Sequence, residues 1–301
     1  MPTSQPQPLD RRGVTAAMFA FGFWGLVPIY YKALQSVDAW QVLAHRIVWA
    51  IPVLLTVLAV RDGRRILTRL KISAAALGWL TLTGLMIAIN WGVYVWAIVH
   101  DHVLDTSLGY FMTPLINVIL GFAFLQERLT RYQTLAVISA AAGTLYFAWY
   151  LGGAPWISVA LALSFGFYGL MRKRLDVGPL LGLLWETLLM GVPAALYLLW
   201  LSAHGRLLLL PLTDHVNVLL VASGLPTILP LIWFNMAARR LPLSILGFFQ
   251  YFSPSISFML AVFLYGEAFT FGHAVAFTGI WLGLVLVSIE PFQRARKRLR
   301  G

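Results

Sequence analysis

Cysteine is absent from all 301 residues, and charge is scarce: Asp, Glu, Lys and Arg together make up 11% of the chain. Without a thiol there is no disulfide framework and no thiolate metal site. A soluble fold needs about 25% charged residues to cover its surface, and this chain does not have them. Acidic residues are the scarcer kind, 11 against 22 basic ones. No GxxxxGK[ST] stretch is present to cradle a nucleotide phosphate, and no nucleophile, base and orienting group stand at a recognisable spacing. Neither ATP-driven pumping by this chain nor enzyme activity is therefore expected, and no cofactor is implied. Strand-length alternation of apolar and polar residues is also missing, which argues against a membrane barrel.

What the chain has is apolar sequence, 60% of residues, in ten continuous runs. These lie near residues 14–34, 41–60, 75–98, 104–125, 131–150, 154–172, 180–200, 215–237, 243–264 and 271–290. Each is close to the ~20 residues a helix needs to cross a ~30 Å hydrocarbon core. The expected fold is an all-α integral membrane protein of ten transmembrane helices. The remainder is short connections and two polar tails, 1–13 and 291–301. The first tail, MPTSQPQPLDRRG, is proline-rich and has no small-residue cleavage site, so the first span is expected to be retained.

The net charge of +11 is explained by where the basic residues fall. Nineteen of the 22 lie on one side of the predicted spans: Arg11 and Arg12; Arg61, Arg64, Arg65, Arg69 and Lys71; Arg128 and Arg131; Arg172, Lys173 and Arg174; Arg239 and Arg240; Arg294, Arg296, Lys297, Arg298 and Arg300. Lys32 and Arg206 lie on the other side, and Arg46 lies within a span. Basic connections stay in the cytoplasm, so both termini are expected there. The tail QRARKRLR reads as an anchor for anionic lipid rather than for nucleic acid.

The sequence repeats itself. At an offset of 140, Pro114 meets Pro254, Glu127 meets Glu267, Thr130 meets Thr270, and Gly143 meets Gly283. At 144, FGFWGL (21–26) meets FGFYGL (165–170). Proline and glutamate are rare inside spans, so their shared offset carries the inference. Each half, 14–150 and 151–290, then holds five helices. Five is odd, so the second half enters the membrane from the opposite side. Inverted repeats of this kind recur in secondary transporters, which hold substrate near the midplane between the halves.

Four stretches, NWGVYVWAI (90–98), SLGYFMTPLINVILGFAFLQERLTRYQ (107–133), SFGFYGLMRK (164–173) and LGFFQYFSPS (246–255), resemble the RarD group of permeases. These are EamA-type transporters of the drug/metabolite transporter superfamily. The resemblance implies a ten-helix bacterial inner-membrane permease that exports small metabolites or drugs. Thr113 departs from it, standing where that family is expected to favour asparagine.

A polar residue inside a span is costly and is a candidate for function. Asn90 and Tyr94 share a face of the third span at i, i+4. Tyr110 and Asn117 belong to the fourth span, Tyr168 to the sixth, Asn235 to the eighth, and Gln250 and Tyr251 to the ninth. With Arg46 of the second span, these nine are the expected substrate-binding set. His45 and Glu186 are the titratable candidates for proton coupling. Pro114 and Pro254 leave the carbonyls of Tyr110 and Gln250 without helical partners and are the expected hinges. His100, Asp101, His102 and Asp105 have metal-ligand chemistry but lie in and beside one short connection without an evident tetrahedral set, so no metal is expected. The function expected is alternating-access transport of a small solute that is neutral, zwitterionic or weakly amphiphilic. The alternative is a lipid-moving or membrane-assembly protein with no soluble substrate. Partners beyond solute and bilayer, including oligomeric state, are left open.

Overall fold

The computed structural model describes residues 10–63, 72–125, 130–173, 175–206, 214–238, 240–241 and 249–298. All regular structure among them is helical. The helices are α1 (Arg11–Lys32), α2 (Ala39–Asp62), α3 (Ala74–Val99), α4 (Val103–Leu125), α5 (Arg131–Leu151), α6 (Trp156–Lys173), α7 (Pro179–Ala203), α8 (His215–Ala222), α9 (Leu225–Ala238), α10 (Phe252–Met259) with a π turn at Leu260–Leu264, and α11 (Phe271–Arg298). Seven helical stretches are long and apolar enough to cross a membrane, counting α8 and α9 together, and three shorter apolar helices accompany them. The chain is a multi-pass membrane protein.

Local sequence explains most of the boundaries. The Asp38 carboxylate accepts from the backbone N–H of Trp40 at 2.9 Å and of Gln41 at 3.3 Å, starting α2. Ser73 does the same for Ala76 before α3, and Thr130 with Gln133 closes a capping box before α5. These side chains satisfy amide donors that the first helical turn leaves free. Gly152 ends α5 at φ 69°, where a β-carbon would be strained.

Each of the ten expected runs overlaps a helix, with three differences. Of the ninth run, residues 243–248 lie outside the described residues, and α10 begins at Phe252 after a turn at Tyr251. The eighth run is split at Ser223–Gly224 into α8 and α9. There the chain lies directly on α2: a β-carbon on Gly224 would stand 2.5 Å from the Trp49 carbonyl oxygen. The tenth does not end at residue 290, because helical backbone continues through the basic segment to Arg298. That segment lies beyond the apolar run, and although it opens with Pro291 its following Gln, Arg, Ala and Lys residues are good helix formers.

The helices pack as a set of neighbouring pairs. α5 lies on α11, α4 on α6 and α10, α1 on α9 and α10, α2 on α7, α8 and α9, and α3 on α6 and α7. Small residues permit the closest approaches, as is usual between membrane helices. A β-carbon on Gly143 would meet the Ala276 carbonyl oxygen at 3.1 Å, and one on Gly283 would meet that of Ala136 at 2.8 Å. Between them Ser139 Oγ donates to the Gly279 carbonyl at 2.9 Å. As residue numbers rise along α5 they fall along α11, so the two run antiparallel. The interior gathers Tyr31, Tyr94, Leu108, Phe111, Phe147, Leu161 and Phe277. Outward-facing Phe19, Val60, Leu145, Trp149, Val192, Leu199 and Phe263 form a belt that only lipid suits.

Candidate functional site

Arg46 stands two turns into α2, about 10 Å along it at 1.5 Å per residue. It is 92% buried, at 8% exposure. Its guanidinium carbon lies 4.4 Å from the centroid of the Trp91 ring of α3 and 5.4 Å from that of Tyr31 of α1. Nε donates to Thr227 Oγ1 of α9 at 2.8 Å. Nη1 is buried and has no hydrogen-bond partner. Four helices thus converge on one cation, and no described carboxylate pairs with it.

Tyrosines line the approach. The rings of Tyr30 and Tyr31 meet edge-on at 5.3 Å, Tyr31 meets Tyr94 at 6.1 Å, and Tyr94 meets Tyr110 at 5.8 Å. All four lie within electrostatic reach of Arg46. The Tyr30 hydroxyl donates to the Leu219 carbonyl. The line continues through Phe165 to Tyr168, at 6.5 and 6.0 Å. Asn90 sits beside it and is fully engaged. Its Nδ2 donates to the Leu161 carbonyl and to Ser164 Oγ, each at 3.0 Å, and its Oδ1 accepts from the Tyr110 hydroxyl at 3.2 Å. Asn90 therefore fastens α3 to α6 and α4 and orients the Tyr110 ring.

At the far end of this line is a second buried charge, Glu186 of α7, 1% exposed. Oε1 accepts from Thr83 Oγ1 at 2.7 Å, and Oε2 accepts from the Tyr168 hydroxyl at 3.2 Å. Arg172 Nε approaches Oε1 at 3.7 Å. This anion has a cation beside it, whereas Arg46 has no described anion beside it. Gly182 makes the pairing possible, since a β-carbon there would stand 2.5 Å from the Arg172 Cζ.

The other predicted residues are placed as follows. His45 is buried next to Arg46 in sequence, and its Nδ1 accepts from Trp49 Nε1 at 3.3 Å. Tyr251 stacks on Phe111 at 6.4 Å. Asn117 and Gln250 are exposed and do not join the tyrosine line. The Asn235 side chain lies outside the described residues. Pro114 lies within an unbroken α4, whereas Pro254 lies in the first turn of α10, just after the chain turns at Tyr251. The Pro254 carbonyl accepts from Ser107 Oγ of α4 at 2.7 Å.

Thr83, Thr227 and Arg172 are the residues that sequence reasoning missed. The two threonines are 144 positions apart, the offset of the FGFWGL and FGFYGL repeat, and each serves one buried charge. That coincidence was visible in the sequence. Arg172 reads there as one of a run of three basic residues, and only the fold turns it inward.

Near the Lys32 end of α1 the helix ends are tied together. Lys32 pairs with Asp101, and the Glu267 carboxylate accepts from the backbone N–H of Val103 and of Leu104, each at 2.8 Å. Glu267 thus caps α4 across 164 residues of sequence. Burial pushes its carboxyl above the ordinary range, against the lowering effect of those two amides and of Lys32. Glu127, its counterpart at an offset of 140, lies outside the described residues.

A multi-pass helical bundle whose buried charges and tyrosines meet between packed helices is the architecture of a membrane transporter. The chain belongs to the EamA-like transporter family, whose profile matches it twice, over residues 11–149 and 152–289. It is 45% identical to an uncharacterized transporter of Vibrio cholerae, over 97% of this chain and 96% of that one. It is 39% identical to protein RarD of Salmonella typhi, over 96% of this chain and 98% of the relative. Protein RarD of Escherichia coli strain K12 is 37% identical, over 95% and 97% of the two chains. One crystal structure, 17% identical, shares the fold with a TM-score of 0.61 over 92% of this chain and 97% of its own.

Proposed function

We propose that the chain is a secondary active transporter of a small metabolite or drug-like solute. It is built as two inverted five-helix repeats, 14–150 and 151–290, that alternate access to a site between them. The contact between α5 and α11 carries this reading. Gly143 against Ala276 and Ala136 against Gly283 are the same contact made twice, since each partner is 140 residues from its equivalent. Such reciprocity is the mark of a two-fold axis. Because the helices run antiparallel there, the axis crosses them, in the membrane plane rather than along its normal.

The remaining pairs support the same exchange. Replacing each helix by its counterpart turns α1–α9 into α6–α3, α4–α6 into α10–α1, and α3–α7 into α9–α2, and all of these pairs are in contact. The substrate site is the Arg46–tyrosine line, with Asn90, Tyr94, Tyr110 and Tyr168 as lining residues. Export across a bacterial inner membrane is supported by the resemblance to RarD proteins, and cytoplasmic termini by the one-sided basic connections. Glu186 and His45 are the groups placed to couple transport to protons. Flux of labelled solutes into and out of proteoliposomes tests the proposal. Movement of solute without labelled lipid supports it, and movement of lipid alone refutes it in favour of a lipid-moving protein.

A further inference from the structure

The structure buries two arginines and treats them differently. Arg172 has the Glu186 carboxylate at 3.7 Å, with Thr83 and Tyr168 satisfying the remaining carboxylate lone pairs. Arg46 is given one threonine hydroxyl and two aromatic faces. None of these carries a negative charge, and among the described residues Nη1, like the Nη1 of Arg172, has no hydrogen-bond partner, so the two arginines differ in having or lacking a carboxylate. Burying a cation without an anion is among the more costly arrangements in a protein, and inside a bilayer no water relieves it. A guanidinium cannot escape by losing its proton, because it stays charged at all relevant pH values. Aromatic faces attract the cation but leave its charge uncancelled.

From this we infer that Arg46 is the receptor for a monoanionic carboxylate on the transported solute, which supplies the counter-charge that the protein supplies at Arg172. The inference deepens the proposed transport reading and rests on it. A carboxylate fits better than a phosphate for a reason of charge. One negative charge cancels the guanidinium, whereas a dianion leaves a net charge in a medium where the solvation cost grows with the square of the charge. Geometry agrees. Nε is held by Thr227, which fixes the guanidinium plane, and Nη1 is buried with its hydrogen-bonding capacity unused among the described residues. The rings against it are those of Trp91 and Tyr31, with Tyr94 and Tyr110 next along the line, so the body of a solute bound at Arg46 would meet aromatic surface. The class of substrate is an amphipathic or aromatic monocarboxylate, zwitterions such as aromatic amino acids included.

The test uses matched pairs differing only in charge: benzoate and benzamide, indole-3-acetate and indole-3-acetamide, L-phenylalanine and L-phenylalaninamide. Each is titrated at up to millimolar concentration into the purified full-length protein while its thermal midpoint is followed, since a ligand of the native state raises it. At least one carboxylate is expected to raise the midpoint where its amide does not. Arg46→Gln should weaken that effect by about tenfold or more, the consequence of losing charge-assisted hydrogen bonds. Arg46→Lys, which keeps the charge and loses the fork, should fall between. Without ligand, Arg46→Gln should melt at or above the wild-type temperature, because an uncompensated charge has been removed. The proposal is overturned if no carboxylate acts, if acid and amide act alike, or if Arg46→Gln keeps the response. It is equally overturned if Arg46→Gln melts several degrees lower without ligand, which marks a brace. Counterflow of the same carboxylates in proteoliposomes separates the two readings. Binding without flux sinks transport and leaves the receptor, while flux of acids and amides alike, unchanged in Arg46→Gln, sinks the receptor and leaves transport.

Discussion

Replacing Glu186 with leucine is expected to destabilise the protein severely, and replacing Arg172 as well is expected to restore most of the loss. Glu186→Leu removes the carboxylate from beside a guanidinium whose side chain is 13% exposed, and it strips Thr83 and Tyr168 of their acceptor. Breaking a buried ion pair by deleting one partner costs about 3–5 kcal/mol, because the survivor keeps its desolvation penalty and loses its attraction. An unfolding entropy of about 2.1 cal/mol/K per residue over the 301-residue chain gives about 0.6 kcal/mol/K, so the thermal midpoint should fall by about 5–8 °C. The double variant Glu186→Leu with Arg172→Met replaces both charges by apolar groups of similar size, a change that is often near neutral. Its midpoint should return to within about 2 °C of wild type, the equivalent of roughly 1 kcal/mol on the same scale. The assay is a thermal melt of all four proteins of the cycle in one detergent, with membrane abundance measured beside it. If Glu186→Leu alone melts like wild type, the pair does not stabilise the fold. If the double variant is as damaged as the single, the loss comes from packing and the charge argument fails for Arg172. Its contrast with Arg46 would fail with it.

Three further outcomes follow from other parts of the molecule. Because the chain has no cysteine, single cysteines report sidedness cleanly at exposed positions: Asp101→Cys should react with an impermeant thiol reagent applied to intact cells and Arg61→Cys should not, and the reverse labelling would invert the topology. Pro114→Ala and Pro254→Ala should each slow flux several-fold, Pro114→Ala at equal or higher thermal stability because it restores a backbone donor inside α4, and Pro254→Ala with little change because the first turn of α10 has no acceptor of its own for that donor; wild-type flux in both at normal abundance rules the prolines out as hinges. Because the net effect on Glu267 is upward, its ionisation is opposed by the fold, so its contribution to stability is present below the ordinary carboxyl range and lost as pH rises through the raised value. The difference in thermal midpoint between wild type and Glu267→Gln should shrink or reverse across that rise, and a difference independent of pH would show that the carboxyl titrates normally.

The order of the helices and most of their extent were legible in the sequence because lipid imposes one simple demand. Each crossing must be apolar for about 20 residues with its backbone bonded internally, and ten such runs stand out from a chain with so little charge. The offset of 140 was legible for a related reason: Pro114 with Pro254 and Glu127 with Glu267 are rare residues repeated at one spacing. What could not be read was rotation. A helix in water declares its inner face by an apolar stripe, but a helix in lipid is apolar all round and its sequence does not say which side meets its neighbours. Asn90 and Asn117 look alike as amides within spans, yet one is 1% exposed and triply bonded while the other faces outward. Thr227 reaches Arg46 across 181 residues, and Arg172 turns inward to Glu186 past a glycine on another helix. The sequence by itself determined which polar groups lie within the apolar runs. Only the approach of α6 to α7 decided that Arg172 has a counter-charge in the protein, and only the packing of α1, α2, α3 and α9 around one guanidinium decided that Arg46, among the described residues, does not.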